Sequence, residues 1–324
     1  MNKMIKSTLL FYSFLVLICF TSVAQETTGK ILFYNVENLF DTLKTEGKID
    51  DEFLPDGKNN WTSERYQEKI QHINKVIHSV GNPLIMGLCE IENKQVVDDI
   101  VAGGNLKQTH RVIHHESLDA RGIDNAIIYD STKLKLLEDG FIRFEMPDGD
   151  SPSRDIVWAK FSSGEEELFV MVNHWPSRRG GELVSEPKRL IAAYAAAEFI
   201  DSLQKVNKKV QIIFMGDLND YPTDRAPQII SERLNPLITA KSGEFGGTHN
   251  YRGEWNILDH IMVSKALTKK KGISVNKKSG TIHSFDYLIT TYKENLVPFR
   301  TYGGGQYLEG YSDHLPVSVD IKLN

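Results

Sequence analysis

The stretch LFVMVNHWPSRRGGELVSEPKRLIAAYAAAEFIDSLQKVNKKVQIIFMGDLND, residues 168–220, decides the fold class. It opens and closes on apolar runs, LFVMVNHW (168–175) and VQIIFMGD (210–217), each short enough for a strand. Between them, from about Ser185 to Val206, Leu190, Ala193, Tyr194, Ala197 and Ile200 recur at helical spacing, which predicts a helix burying that stripe with Pro187 in its first turn. Runs that are apolar throughout suit inner strands covered on both faces. Strand, helix and strand in succession predict an α/β fold.

The same alternation extends in both directions. Further strands are expected at ILFYNV (31–36), PLIMGLCEI (83–91), HRVIHH (110–115), NAIIYD (125–130), DIVWAKF (155–161), ILDHIMV (257–263) and LPVSVDIKL (315–323). Tyr66, Ile70, Ile73, Ile77 and Val80 mark an amphipathic helix with Ser63 as its N-cap and Gly81 as its stop. Polar, Gly-containing stretches at 41–61, 116–123, 176–184, 241–255 and 301–312 read as loops. With no low-complexity linker or repeat, residues 25–324 are expected to form one domain.

Of the 324 residues, 40% are hydrophobic and 25% charged, which excludes a disordered or fibrous chain. Lys+Arg 38 against Asp+Glu 43 gives a net charge of −5, so nucleic acid is not gripped by bulk charge and any such contact is local. Lys3 and Lys6, the apolar run 8–20 and the small residues Ser22 and Ala24 read as a signal peptide cleaved after Ala24. Lipid attachment at Cys19 is the weaker reading, because Ile18 precedes it. Cleavage removes two lysines and no acid, taking −5 to −7. It leaves Cys89, inside an apolar run, as a buried and inert thiol without a disulfide partner. No later stretch reads as a membrane span, so an exported protein, periplasmic or extracellular and monomeric, is expected.

Polar residues stand where the apolar runs end: Asn35 and Glu37, Glu90, Asn173 and His174, Asp217 and Asn219, Asp259 and His260, Asp313 and His314. Singly, each is explained by turn chemistry, and Glu90 with Glu92 by the start of a helix over 93–103. Together they suit one rim of a sheet, where α/β folds place their sites. His110, His114 and His115 lack zinc spacing and read as exposed or core-satisfied.

In YNVENLF (34–40), GLCEIEN (87–93), VNHWPSRRGG (172–181), GDLND (216–220), WNILDHIMVS (255–264) and YSDHLPV (311–317), taken in order, the chain resembles the endonuclease/exonuclease/phosphatase superfamily of metal-dependent phosphohydrolases. The resemblance implies a deoxyribonuclease-like four-layered α/β sandwich, two packed mixed sheets flanked by helices. It implies a metal set of Asn35, Glu37, Glu90 and Asp313, whose hard oxygens favour Mg2+ over zinc, with Mn2+ or Ca2+ as alternatives. Among the catalytic residues, Asp217 would activate water and Asn219 would hold the nucleophile or a phosphoryl oxygen. His314, oriented by Asp259, would meet a phosphoryl oxygen, and His174 would contact the phosphate or protonate the leaving group. Asn35, Arg178 and Arg179 are the expected substrate contacts, the arginines weighing equally as solvated loop charges. The expected reaction is phosphodiester hydrolysis, as in a nuclease. A phosphatase or phospholipase C-type hydrolase acting on inositol phosphates, sugar phosphates or lipid head groups is the alternative, and an inactive binding protein the third reading. Gly303–Gly305 is not a nucleotide-phosphate loop, lacking the lysine and the helix.

Overall fold

The computed structural model describes residues 27–147, 149–269 and 272–323, so the signal-peptide reading and Cys19 lie outside the described residues. The main strands are β1 (Thr27–Leu39), β2 (Ile85–Ile91), β3 (His110–His114), β4 (Asp124–Asp130), β5 (Lys135–Ile142), β6 (Ile156–Ser163), β7 (Glu166–His174), β8 (Ile212–Asp217), β9 (Asp259–Val263) and β10 (Val317–Leu323). The helices are α1 (Ser63–Val80), α2 (Lys94–Gly103), α3 (Glu182–Val206) and α4 (Arg225–Ser231). One sheet runs β10-β1-β2-β4-β3, extended beside β10 by the short strands Ser274–Val275 and Thr281–Ile282. The other runs β5-β6-β7-β8-β9 and ends on Asn235–Pro236. Each sheet contains one parallel pair, β1 with β2 and β7 with β8. Their crossovers carry α1 and α3, as parallel pairing requires.

The two-sided burial of β7 and β8 explains their unbroken apolar runs. Leu168, Val170 and Val172 of β7 and Ile213 and Met215 of β8 join the core shared with the first sheet. Phe169 and Met171, with Ile212 and Phe214, pack instead with the alanines of α3 and with Ile230 of α4. The period of two thus divides each strand between two cores. With α1 outside the first sheet, the layers are helix, sheet, sheet, helix: the four-layered sandwich.

Several details differ from the sequence reading. Thr62, not Ser63, is the N-cap of α1, its side chain accepting from the Arg65 N–H; Gly81 closes that helix in the left-handed region as expected. Helix α3 starts at Glu182, inside the stretch read as a loop, which puts Pro187 in the second turn. Its buried face is Ser185, Arg189, Ala192, Ala193, Ala196, Ala197 and Ile200, whereas Tyr194 is 54% exposed and Leu190 only partly covered. The reason is Arg189: buried, with Nε 2.7 Å from Asp220 Oδ1 and Nη1 2.7 Å from Ser185 Oγ, it turns the helix toward the GDLND loop. Strand β5 and helix α4 escaped the reading. The loops 241–255 and 301–312 contain small antiparallel ribbons, His249–Tyr251 with Glu254–Asn256 and Tyr302–Gly303 with Gln306–Tyr307. Gly304 and Gly305, at φ 58° and 81°, form the tight turn of the latter, so the glycine run serves a hairpin. Among the described residues no helix is long and apolar enough to cross a membrane.

Candidate active site

The two parallel pairs end at the same rim. Continuing the inward-facing series of β7 and β8 by two residues reaches His174 and Asp217, which are register partners. Asp259, at the start of antiparallel β9, pairs with Asp217 from the other side. β1 and β2 contribute Asn35 and Glu90 through irregular backbone. The β1–β2 register slips between Asn35 and Leu39, and the β2–β4 register between Cys89 and Ile91. Glu37, Asn38, Glu90 and Asn219 all hold positive φ, 53°, 51°, 61° and 50°. Such bulges re-aim side chains at a cost of about 1–3 kcal/mol each, so their concentration marks a place where position matters more than stability. Gly216 permits the approach of β8 to β7: a Cβ there would lie 2.4 Å from the Asn173 carbonyl oxygen.

Asp217 Oδ2 is the centre of the constellation. Asn35 Nδ2 donates to it at 3.0 Å, and Nε2 of both His174 and His314 lies 3.7 Å away. Its other oxygen accepts from the Asn219 N–H at 2.9 Å, and Asn219 Nδ2 donates to the Trp175 carbonyl. Asp259 Oδ2 is 2.8 Å from His314 Nδ1. Glu90 accepts from Asn35 Nδ2 at 3.3 Å and from the Asn38 N–H at 3.0 Å, with His174 Nε2 3.8 Å away. Asn173 is occupied within the fold, donating to the Met215 carbonyl and accepting from Trp175 Nε1. His260 likewise faces the Asp220 carbonyl.

These contacts set opposite charge states on the two histidines. Burial disfavours the His314 cation, but Asp259, Asp217 and Asp313 outweigh it and hold the ring well above the ordinary imidazole range. Burial, reinforced by Arg154, Arg121 and His314, keeps His174 well below that range and therefore neutral at pH 7. Burial, with the Asp259 charge adding to it, pushes Asp217 up to about 7.

The four residues expected to bind metal separate into two groups. Glu37 is 3% exposed and both its oxygens are engaged, Oε1 by Arg300 Nε (3.2 Å) and Nη2 (3.0 Å), Oε2 by the Thr301 N–H (2.7 Å). Asn35 turns its NH2 toward Glu90 and Asp217 while its Oδ1 accepts from the Glu37 N–H. Glu90 and Asp313 keep partly open carboxylates, 17% and 23% exposed. Five carboxylates, Glu37, Glu90, Asp217, Asp259 and Asp313, gather here with His314, Arg300, Lys69 and Arg154 as the neighbouring cations among the described residues. That surplus of hard-oxygen charge fits a divalent cation of the Mg2+ type.

Of the expected substrate contacts, Arg178 is committed to Glu182 and Asp224 and lies over the Tyr221 ring, and Arg179 is exposed on its loop. His110 contacts the Thr109 hydroxyl and the Pro83 carbonyl, and His114 contacts Asp124 at 3.1 Å. His114, Glu116 and Asp124 are close enough to share an ion, but Lys48 Nζ already lies 2.9 Å from Glu116. The site also contains residues the sequence reading missed. His249 forms a bridge with His314, their rings 5.0 Å apart. Arg300 reaches Glu37 and Asp313, and Lys69 reaches the Thr301 hydroxyl and the Tyr311 carbonyl. Lys69 carried a signal: it is a lysine on the apolar face of α1, between Tyr66 and Ile70.

The model of the Endonuclease/Exonuclease/phosphatase family matches residues 30–323. Similar solved structures include an endonuclease/exonuclease/phosphatase family protein from Bacteroides thetaiotaomicron, 18% identical with a TM-score of 0.59, covering 93% of this chain and 96% of that one. A mannosyl-6-phosphatase from the same organism is also 18% identical with a TM-score of 0.59, covering 90% and 98%. The human Nocturnin catalytic domain, with bound sulfate, is 16% identical with a TM-score of 0.57, covering 91% and 94%. No curated protein matches by sequence.

Proposed function

The chain belongs to the endonuclease/exonuclease/phosphatase family, and from that premise we propose that it is a divalent-cation-assisted phosphoester hydrolase that uses one activated water. The observation carrying this reading is the convergence of Asn35, His174 and His314 on one oxygen of Asp217, with Asp259 behind His314. Asp217, with its carboxyl near 7, is matched to accepting a proton from water at neutral pH. His314, held as a cation, faces charge building on a phosphoryl oxygen. His174, neutral, would offer a hydrogen bond to the phosphate. Glu90 and Asp313 would hold the metal, with Asn35 beside them. A bound divalent cation supplies neutralisation of the charge that develops on the phosphoryl and leaving oxygens.

The test is a turnover screen of the purified chain with Mg2+ against p-nitrophenyl phosphate, bis-(p-nitrophenyl) phosphate, plasmid DNA, RNA, inositol phosphates, mannose 6-phosphate and sphingomyelin. Phosphate-ester cleavage above background is expected with at least one class. Silence with all of them across Mg2+ and Mn2+ would favour a binding role. A specific observation supports the monoester reading over the nuclease reading: Arg178 is tied to Glu182 and Asp224, and Arg300, fastened through the buried Lys69, stands at the rim as a cation the sequence reading did not include. A mannosyl-6-phosphatase among the similar folds makes phosphorylated sugars a natural arm of the screen. We also place the enzyme outside the cytoplasm, on the leader-like residues 1–24. An intact mass beginning at Gln25 is expected for exported material, and retention of those residues would overturn this.

A further inference from the structure

Arg300 is held in place unusually firmly for a residue on a loop. The Phe299 carbonyl accepts from the Tyr311 and Ser312 N–H groups, and the Leu308 N–H donates to the Thr301 carbonyl, closing the segment on itself. Buried Lys69 fastens it from below through Thr301 and Tyr311. Ser312 ties it to β1 by donating to the Asn35 carbonyl at 2.7 Å while accepting from the His314 N–H. The guanidinium docks by one edge: Nε and Nη2 face Glu37, and Nη2 also lies 3.0 Å from Asp313. Nη1 has no partner among the described residues, and the side chain is 44% exposed while Glu37 beneath it is sealed.

With Nε on Glu37 and Nη2 between Glu37 and Asp313, the anchored guanidinium leaves Nη1 as a rigidly held donor nitrogen that an oxyanion can meet. A diester offers two non-bridging oxygens and one negative charge. A monoester offers three and, at neutral pH, close to two charges. His314 would meet one oxygen, and a divalent cation held by Glu90 and Asp313 would neutralise a second; a third needs its own donor. We propose that Arg300 is that donor, a specificity-determining residue that takes the third oxygen of a terminal phosphate and selects phosphomonoesters. This rests on the reading that the rim hydrolyses phosphoesters.

The experiment compares wild type, Arg300→Gln, Arg300→Lys and the double variant Glu37→Gln/Arg300→Gln. With saturating Mg2+, kcat/KM is measured on p-nitrophenyl phosphate and bis-(p-nitrophenyl) phosphate, and inorganic phosphate is titrated calorimetrically with and without Mg2+. In Arg300→Gln, monoester kcat/KM is expected to fall about tenfold further than diester kcat/KM, and phosphate to bind about tenfold more weakly. Arg300→Lys should recover part of both, since it restores charge without the fork. The double variant should recover neither. Equal losses on both esters, unchanged phosphate binding, or recovery in the double variant would overturn the proposal, the last by showing that Arg300 only neutralises Glu37. If wild type cleaves neither ester yet Arg300→Gln still weakens phosphate binding, the hydrolase reading fails while the oxyanion contact stands.

Discussion

Asp217→Asn and His314→Gln are each expected to lower kcat by roughly 100-fold or more while leaving the melting temperature within a few degrees of wild type. Asp217→Asn preserves shape and the acceptor for the Asn219 N–H, and it removes a charge that burial already disfavours, so the fold loses little. What it removes is the base. His314→Gln removes the cation that three carboxylates hold in place, leaving acids that can take up protons instead. Asp259→Asn should cost less, about tenfold, because it weakens the protonation and aim of His314 without deleting the ring. Initial rates set beside thermal melts decide the matter. Early melting of all three variants in proportion to lost activity would make these residues structural.

The parts legible in the sequence were those where one short-range rule dominates. β7 and β8 are buried on both faces, so their runs are apolar without interruption, and the change to His174 and Asp217 at their ends stands out. The face of α3 was not legible, since alanines lie on both candidate stripes and the deciding pair, Arg189 with Asp220, joins residues on different elements. β5 was missed because it is an edge strand with Glu138 and Asp139 in its middle and Leu137 and Phe141 exposed; its pattern lacks a buried face. The Arg300 cluster depends on Lys69 and Thr301, 232 positions apart, and on both reaching the neighbourhood of Glu37. The one local sign of that closure is Lys69 on the apolar face of α1, and it does not say which residues it meets. Glu37 was therefore expected in the metal set, whereas in the fold both its oxygens are engaged by Arg300 and Thr301.

Glu90→Gln is expected to weaken Mg2+ binding by at least about tenfold and to bring turnover at limiting Mg2+ close to the background seen in excess chelator, since it removes a charge from an open oxygen cluster. The surplus of acid also predicts how the metal acts on stability. Burial, with Asp313 adding to it, pushes Glu37 from 4.5 up to about 7, and burial pushes Asp217 from 3.8 to about 7. A carboxyl whose folded pKa lies above its unfolded value stabilises the fold fully below the unfolded pKa, and that contribution is lost as pH rises through about 7. His314, raised as well, acts in the same direction above 6.5. His249, His260 and His283, lowered to about 4 by burial, and His174, lowered as well, act the other way: near pH 6 the unfolded chain still protonates them and the folded one does not, so they offset part of that fall. Metal-free protein should therefore melt earlier at pH 8 than at pH 6. A divalent cation favours the ionised carboxylates, so the Mg2+-induced rise in melting temperature should be larger at pH 8 than at pH 6, and smaller at both in Glu90→Gln at the same Mg2+ concentration. Glu92, also near 7 through burial but bonded to the Asp41 N–H and the Thr45 hydroxyl, should leave a residual slope that Mg2+ does not remove. A Mg2+ effect that is independent of pH and unchanged in Glu90→Gln would place the cation elsewhere on the protein.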